Sequence, residues 1–375
     1  MSTKTRWERL KTEWAPRIEE WKFILRRIGE SPLAIVGIAI IVFFIVIACM
    51  APILAPPQGR DPFLMPNDEE LASLTTQPVP PTTRHIFGTV ISNQVAGQYD
   101  IYYGCIWGTI SAFRIGIMVV AIALIIGITI GTISAYYGGI LDEILMRFTD
   151  IIIAFPGLVL AMALVIAFPT LIPVDITQII LMLSAVFAII FAAFKPERKF
   201  VLPTTIILVV TLYLYLNNPI ILSINLTKLD KVLISLSLVG WPSYARLIRG
   251  EVLRVKNEDY VEAAKAAGCS DLRIITKHIL PNTIYPLLIV STLDMGSIVL
   301  TAAALSFLGI GADPNYADWG NIISMSRNWV SKPELLVQYY HTFLIPGIFI
   351  TLFVLGWNLL GDALRDVLDP MIRRR

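Results

Sequence analysis

Charged residues are scarce in this chain of 375 residues. Asp, Glu, Lys and Arg make up only 15% of the sequence, against about 25% in an average soluble domain. Hydrophobic residues make up 56%, and the mean hydropathy is +0.71. This composition excludes a soluble globular enzyme and predicts a membrane protein. The formal net charge is only +2, so we expect no general attraction to nucleic acid.

Residues that usually carry chemistry are also few. The three cysteines, Cys49, Cys105 and Cys269, lack the spacing of a disulfide framework or a zinc site. The three histidines are far apart in the sequence, so no metal or nucleophile constellation is expected. The chain has no Gly-x-x-x-x-Gly-Lys-Ser/Thr loop, the motif that cradles nucleotide phosphates. We therefore predict no catalytic, cofactor or metal site, and this chain is not itself an ATP-hydrolysing subunit.

Long apolar runs dominate what the sequence does contain. A bilayer core about 30 Å thick requires roughly 20 apolar residues in a helix. Eight runs are interpreted as spans, namely Leu33 to Leu54, Ile115 to Tyr137, Ile151 to Pro169, Gln178 to Phe194, Phe200 to Leu216, Val232 to Ala245, Thr283 to Leu308 and Phe343 to Leu360. The sequence thus predicts an all-α, polytopic membrane protein with about eight transmembrane helices.

Basic residues predict the orientation of these spans. Cytoplasmic loops of membrane proteins are enriched in Lys and Arg. With the N-terminus inside, the inner segments hold 23 of the 30 basic residues. Both termini are therefore predicted to be cytoplasmic. In a seven-span alternative, residues 200–227 form one long buried run and the last four basic residues lie outside.

Two segments outside the spans have distinctive patterns. Residues 1–32 repeat tryptophan and aliphatic residues at intervals of three and four, which predicts an amphipathic helix. Such a helix lies on membrane lipid at the inner surface or packs on a partner protein. Residues 56–113 form a proline-rich extracytoplasmic loop. A loop of that length is usually functional or disordered, and its functional option outside the cell is contact with an external partner.

Two short helices are predicted in the cytoplasmic loop that follows the sixth span. Asn257 is expected to cap the first helix, and Gly268 to end it in the left-handed conformation. Ser270 is expected to cap the second helix, over Asp271 to Leu280, which Pro281 ends or bends. A loop with this much local order is more structured than a simple connector needs to be.

The first of these helices, within the loop of residues 246–282, has little side-chain bulk. Glu262 is followed by Ala263, Ala264, Ala266 and Ala267. Small side chains allow another backbone to approach closely. Elsewhere, Gly127 and Gly131 have the four-residue spacing that favours close packing of helices.

These residues resemble a known family. Glu262-Ala263-Ala264, Gly268 and Ile279-Leu280-Pro281 match the EAA loop of permease subunits in binding-protein-dependent ABC importers. Further motifs resemble the C-type permease of the oligopeptide and dipeptide branch, and these are Tyr136 to Gly139, Met146-Arg147, Asp150, Phe155-Pro156, Gly240 to Arg246, Arg249 to Leu253, Ser306 to Gly311, Trp319-Gly320, Asn358 to Asp362 and Leu368 to Pro370. The resemblance covers residues 30–170 and 230–370.

The resemblance implies a function and partners. It implies a multi-pass subunit in the plasma membrane of a prokaryote that forms half of a translocation path for peptides. Its partners would be a homologous B-type permease, an extracytoplasmic substrate-binding protein and two ATP-binding subunits, which use ATP and Mg. In that family the EAA loop is the coupling helix that docks on the ATPase. The residues carried over are Glu262, Ala263, Ala264, Gly268, Leu280 and Pro281, with Ala263 and Ala264 letting the helix seat deeply.

The resemblance also divides the chain into segments. An interfacial helix (1–32) precedes the first part of the permease domain (33–169), and the second part follows at 229–370. Residues 170–228, with two of the predicted spans, have no counterpart in relatives and are interpreted as an insertion. Two further departures are His278, where relatives have an apolar residue, and Val90 to Gln94, where relatives carry a Gly-Arg-Asp signature.

Asp294 is a carboxylate near the middle of an apolar span. Such a residue usually faces the protein interior or water, because insertion into lipid costs roughly 2.5 to 3.5 kcal/mol. It is either a residue of the translocation path, suited to a peptide amino terminus, or a packed structural group.

Other functions of the chain also stay open, namely import of oligosaccharides or nickel, a secondary transporter, and a membrane enzyme. The last two are disfavoured because the chain lacks a set of ionisable midplane groups and a catalytic cluster.

Overall fold

The computed structural model of the protein describes residues 26–92, 97–175, 182, 209–210, 212–213 and 221–368. They belong to two compact units, a larger one of residues 1–166 and 231–375 and a smaller one of residues 167–230. Most of the predicted amphipathic helix lies outside the described residues, although residues 26–30 are helical. The predicted spans Gln178 to Phe194 and Phe200 to Leu216 also lie largely outside them.

Helices form most of the described chain. In order they are α1 (Pro32–Leu54), α2 (Glu69–Leu74), α3 (Ile101–Tyr137), α4 (Gly139–Ala154), α5 (Gly157–Ala167), α6 (Lys228–Val255), α7 (Asp259–Ala266), α8 (Asp271–Ile274), α9 (Leu280–Phe307), α10 (Trp319–Met325), α11 (Pro333–Gln338) and α12 (His341–Leu368). A π-helical turn, Ile275–Ile279, joins α8 to α9, and a 3-10 turn, Arg327–Trp329, follows α10.

Two small antiparallel sheets depart from the all-α prediction. In the larger unit, β1 (Thr89–Ile91) pairs with β2 (Gln98–Asp100). In the smaller unit, β3 (Leu171–Asp175) pairs with β4 (Ile221–Asn225), so that Leu171 lies opposite Asn225. Both strands of the second pair are rich in Ile, Leu and Val, residues that suit a pleated surface. The chain is mostly helical, as predicted, and strands begin and end the segment interpreted as an insertion.

Four described helices are long and apolar enough to cross a membrane. They are α1, α3, α12 and the continuous helix Asp271–Phe307, which includes α8, the π-helical turn and α9. A fifth span would arise if α4 and α5 cross together. The predicted span Val232 to Ala245 lies inside α6, but its charge-free segment is only 14 residues long. Length and composition of the described helices therefore support four or five of the eight predicted spans.

The predicted span Ile151 to Pro169 is broken. Helix α4 ends at Ala154 and α5 begins at Gly157, and the two helices meet at an angle of 94°. Phe155 adopts an extended conformation, with ψ of 141°. The cause is Pro156, because proline disfavours a helical conformation in the residue before it. Hydropathy alone does not reveal such a bend.

Helix α3 connects two clusters of buried side chains in the larger unit. Its first half contributes Ile101, Cys105 and Trp107 to a cluster shared with α1, α10 and α12. Its second half contributes Ala123 and Ala135 to a cluster shared with α6, α7, α8 and α9. Because α3 is 37 residues long, it reaches from one cluster to the other as a single element.

Close packing of α3 on α6 depends on glycine. A Cβ on Gly127 would lie 2.5 Å from the Cβ of Tyr244 and 2.9 Å from the carbonyl oxygen of Trp241. A Cβ on Gly131 would overlap Ile248 and the carbonyl of Ala245. The packing role predicted for both glycines is confirmed. This contact fixes the second half of α3 against α6, the helix that leads into the loop of residues 246–282.

Candidate functional site

The candidate site is the loop between α6 and α9, and its first helix begins one residue later than predicted. Glu258, not Asn257, occupies the cap position of α7. Its carbonyl accepts hydrogen bonds from the backbone of Val261 at 2.9 Å and Glu262 at 3.2 Å. The Asn257 amide instead donates to the carbonyl of Leu253, at 3.2 Å. The predicted cap was wrong because Asn257 closes the end of α6.

The end of α7 has the predicted geometry. Gly268 has φ of +76°, the left-handed region in which a side chain is strained. Its backbone N–H donates to the carbonyl of Lys265 at 2.9 Å, and that of Cys269 donates to Ala264 at 3.1 Å. Ser270 then stands at the cap position of α8, as predicted. Gly268 thus sets the angle between the two loop helices.

Beyond α8 the chain does not form the separate second helix that was expected. Helix α8 covers only Asp271–Ile274 and continues through the π-helical turn into α9. Pro281 lies in the first turn of α9 and does not end the helix. Proline has no N–H to donate, and the turn before it adapts, so that Leu280 N donates to Ile275 O five residues back. The loop is therefore joined to a membrane span without a break.

The loop helices bury one side and expose the other. Val261, Ala264 and Ile274 are buried against the protein's own helices. Glu262 and Ala263 are exposed, because they stand on the other side of the helix. Both alanines of the motif were expected to face a partner. Only Ala263 is exposed, since the 3.6-residue period that places Val261 inward also places Ala264 inward.

The remaining predicted residues divide in the same way. Gly268 is exposed, whereas Leu280 and Pro281 are half-buried at the base of the loop. Two exposed residues, Tyr260 and Leu272, were missed by the sequence reasoning, and Leu272 is 73% exposed. Although Tyr260 is exposed, partial desolvation and the nearby Glu258 carboxylate raise the pKa of its phenol above the usual value. A single apolar residue between Asp271 and Arg273 gives no sequence signal of exposure, so Leu272 could not have been found.

Asp294 lies elsewhere in the same continuous helix. It stands 14 residues after Leu280 in α9, which corresponds to about 21 Å along the helix axis. The side chain is partly buried and lies near the buried phenol of Tyr244 on α6, whose hydroxyl makes no hydrogen bond among the described residues. The structure therefore places Asp294 beside α6 of this chain, apart from the loop residues.

The histidines contribute no cluster. His85 Nδ1 lies 2.8 Å from Asp100 Oδ2 in the loop before α3, and His278 lies in the π-helical turn. In the part of the chain that the structure describes, no group of three His, Cys, Asp or Glu side chains could hold a metal ion.

Comparison with known proteins identifies the family. Residues 127–374 match the family described as "Binding-protein-dependent transport system inner membrane component". That match covers more than half of the chain. The chain belongs to this family. Residues 20–73 also match the "N-terminal TM domain of oligopeptide transport permease C".

Individual relatives of this permease agree with that assignment. The dipeptide transport system permease protein DppC of Alkalihalophilus pseudofirmus is 30% identical over 95% of this chain and 91% of its own length. The probable D,D-dipeptide transport system permease protein DdpC of Escherichia coli is 32% identical, over 91% of this chain and 88% of its own. The predicted resemblance to C-type peptide permeases is confirmed. A solved structure of the MetNI methionine ABC transporter shares 14% identity, covers 71% of this chain and 97% of its own, and has a TM-score of 0.42, which is too low to add to the argument.

The family assignment establishes the general function of the chain. The chain is the permease component of a binding-protein-dependent ABC importer, and its relatives include peptide permeases. In this family ATP hydrolysis belongs to separate subunits. The matched region contains the entire loop from α6 to α9.

Proposed function

We propose that this permease forms half of the translocation path of a peptide importer, and that the exposed side of α7 and α8 docks on an ATP-hydrolysing subunit. The observation that carries the proposal is the division of the loop into a buried and an exposed side. Val261 and Ile274 are 0% and 1% exposed and fix the loop to the membrane helices. Ala263 and Leu272 point away from this chain and leave a surface for another protein.

The chemistry of the exposed side suits a groove on a partner. Ala263 allows the partner's backbone to approach closely, and Leu272 offers an apolar contact. The Glu262 carboxylate can make charge-assisted hydrogen bonds at the rim of such an interface. Leu280 and Pro281 would act indirectly, because they form the base through which a movement of the loop reaches α9.

Peptides are the cargo that the comparisons favour. The printed names of the relatives specify dipeptide, D,D-dipeptide, oligopeptide and glutathione transport. These names favour peptides over the oligosaccharide and nickel alternatives. The continuous path from loop to span through Asp271–Phe307 favours an ATP-driven importer over a secondary transporter.

The complete assembly is part of the proposal. It contains a homologous B-type permease, two ATPases that use ATP and Mg, and an extracytoplasmic substrate-binding protein that contacts the loop before α3. That loop was predicted over residues 56–113, but it ends at Asp100, because α3 begins at Ile101. We place it in the plasma membrane of a prokaryote, with both termini of this chain in the cytoplasm. Residues 170–228 would add two spans to a core of six, which keeps the loop between α6 and α9, here called the coupling loop, inside the cell.

Copurification tests the docking proposal. The tagged permease is extracted from its native membranes in mild detergent, and the proteins that accompany it are identified by mass spectrometry. We expect a second permease and ATPase subunits with the wild-type chain, and loss of the ATPase with Glu262→Arg. The matched control is Glu334→Arg, the same substitution at an exposed position of α11. Retention of the ATPase and of its activity in Glu262→Arg would contradict the proposal.

Asp294 is proposed as a residue of the translocation path, and the nearby Tyr244 supplies the control. Asp294→Asn is compared with Tyr244→Phe, which removes the hydroxyl that lies near the carboxylate. If Asp294 meets the cargo, Asp294→Asn lowers uptake of peptides while Tyr244→Phe leaves substrate preference unchanged. Unchanged transport rate and preference in Asp294→Asn would leave only the structural role.

A further inference from the structure

The C-terminal turn of α3 is held by side chains from four other helices. This turn, residues 134–137, ends at Gly138 and Gly139, whose φ values are +67° and +61°. No described atom lies within 4 Å of the position that a Cβ would take at either glycine. The connection from α3 to α4 is therefore free of packing at the turn itself, and bonds made nearby determine how the elements are arranged.

The strongest of these bonds is an ion pair between α4 and α6. Arg249 donates from Nε to Asp142 Oδ1 at 2.7 Å and from Nη2 to Asp142 Oδ2 at 2.6 Å. The Ser134 hydroxyl, on the last turn of α3, donates to the same carboxylate. The side chains of Arg249 and Asp142 are only 33% and 20% exposed. Two parallel bonds fix orientation as well as distance, so this pair joins α3, α4 and α6 in one arrangement.

A neighbouring contact joins the same turn to the coupling loop. The Tyr136 hydroxyl donates to Asp271 Oδ1, in the first turn of α8, at 2.7 Å. The ammonium of Lys265, on α7, lies 5.9 Å from the centroid of the Tyr136 ring, within range of a cation–π interaction. Lys256, at the end of α6, donates to the carbonyl of Ala135 at 2.7 Å. Tyr136 is thus a single residue of a membrane helix that meets both helices of the loop.

Together these contacts suggest a purpose for motifs that the docking surface does not use. We propose that the Asp142–Arg249 pair and the Tyr136–Asp271 bond position the coupling loop against α3, so that Tyr136, Asp142 and Arg249 are positioning residues for ATP-coupled transport. None of them belongs to α7 or α8, the helices that carry the exposed Ala263 and Leu272, and they act through the loop. The inference rests on the proposed function, because it assumes that the loop receives its movement from an ATPase.

The physical basis is the length and rigidity of α3. The buried side chains of α7 and α8 pack near α3, and Tyr136 adds a directed bond between α3 and the loop helices. The Asp142–Arg249 pair then makes α4 and α6 move together with the end of α3. Without them the loop could still bind the ATPase and move α9, but its displacement would be absorbed at the turn and would not reach α3 and α4. The expected defect is therefore in coupling and not in assembly.

The test measures peptide transported per ATP hydrolysed, in proteoliposomes that contain all subunits of the importer. Tyr136→Phe keeps the ring and removes the hydroxyl. We expect it to lower this ratio by about fivefold or more while the complex assembles and hydrolyses ATP. Asp142→Arg should lower the ratio as well, and the exchanged pair, Asp142→Arg with Arg249→Asp, should recover part of it. Arg147→Ala is the matched control, because its pair with Glu143 on α4 is exposed and within one helix.

The possible results separate this inference from the proposed function. An unchanged ratio in Tyr136→Phe and Asp142→Arg would overturn the inference. Failure of these variants to assemble, with transport and ATP hydrolysis falling together, would also overturn it. That result is what a purely structural role predicts. If Glu262→Arg releases the ATPase while these variants remain coupled, only the positioning role fails. If no ATPase accompanies the wild-type chain, the proposed function itself fails.

Discussion

The loop before α3 and the coupling loop differ in how far their residues are paired within this chain. In the loop before α3, residues 55–100, polar groups bond one another. The Gln98 amide donates to the carbonyl of Gln77 at 2.7 Å and accepts from the Thr89 hydroxyl at 2.6 Å. Asp68 and Asp100 cap α2 and α3, and both lie beside His85. The loop also bonds to the chain around α10 and α11, because the Met65 N–H donates to the carbonyl of Asn315 at 2.8 Å and the Tyr339 hydroxyl donates to Gln77 Oε1 at 2.8 Å. Its polar groups thus find partners within this chain, and we call it the closed loop.

The coupling loop consists of regular helices, but one side of these helices is uncovered in this chain. Its helices are anchored by a few buried residues, and their other side carries Ala263 and Leu272 in exposed positions. Hydrogen bonding within this loop is mostly that of the helices themselves. Regular secondary structure in a loop and full pairing of its residues within the chain are therefore separate properties. The docking that we propose for this loop would use this regular, uncovered surface.

The largest expected loss of stability comes from opening the packing next to the closed loop. Trp319 is 1% exposed, donates to the carbonyl of Cys105 at 3.0 Å and packs against Phe44 and Phe353. Trp319→Ala should lower the free energy of unfolding by about 3–5 kcal/mol, because it leaves a large cavity. Unfolding in detergent measures this, with Val337→Ala, at a 77% exposed position, as control. A loss no larger than that of the control would contradict the description of this core.

A matched pair within the coupling loop sharpens the contrast between its two sides. Ile274→Ala should lower the free energy of unfolding by about 2–5 kcal/mol, since Ile274 is 1% exposed. Leu272→Ala, two residues away and 73% exposed, should change it by less than about 0.5 kcal/mol. Transport should fall in both variants. Equal stability losses would mean that Leu272 packs within this chain.

The anchoring of the coupling loop can be tested at the α3–α6 contact. Gly131→Ala forces a methyl group into Ile248 and Ala245, and should lower the free energy of unfolding by about 1–3 kcal/mol. Gly250→Ala is the control, because no described atom lies within 4 Å of a Cβ there. It should be neutral or stabilising by up to about 1 kcal/mol, as alanine favours a helix. Thermal unfolding of both variants gives the comparison, and a stable Gly131→Ala protein would exclude the close packing.

The smallest expected loss concerns the closed loop. Asp100 accepts hydrogen bonds from the backbone of Tyr102 at 2.7 Å and Tyr103 at 3.2 Å, at the start of α3. Asp100→Ala should lower the free energy of unfolding by about 1–2 kcal/mol, the usual cost of a lost helix cap. Glu69→Ala, at an exposed position of α2, is the control and should cost less than about 0.5 kcal/mol. A loss equal to the control would show that water replaces this cap.

Local signals in the sequence predicted much of the site. Gly268 and Ser270 stand where their backbone preferences place them, and the spacing of Gly127 and Gly131 indicated the helix contact. Asn257 was misplaced because only three residues separate α6 from α7, and its side chain bonds to the earlier helix. The break at Phe155 was hidden because apolar content continues through Pro156. Local preference therefore predicts where helices end better than it predicts how they are oriented.

Contacts between distant residues could not be predicted. The Arg249–Asp142 pair joins positions 107 residues apart, and Tyr136 and Asp271 are 135 apart. Nothing in the local pattern of either residue specifies its partner. The inward orientation of Ala264 was accessible in principle, because Val261 is three residues earlier on the same helix face. The name of the motif groups Ala263 with Ala264, whereas the geometry separates them.

The central claim is that the exposed side of the coupling loop is completed by an ATP-hydrolysing subunit. A photo-crosslinking amino acid placed at Leu272 or at Val337 tests it directly, since the two positions are 73% and 77% exposed. Irradiation of membranes that contain the whole importer should join the ATPase subunit to position 272 and not to position 337. Absence of a cross-link at 272, or equal cross-linking of the ATPase at both positions, would contradict the account.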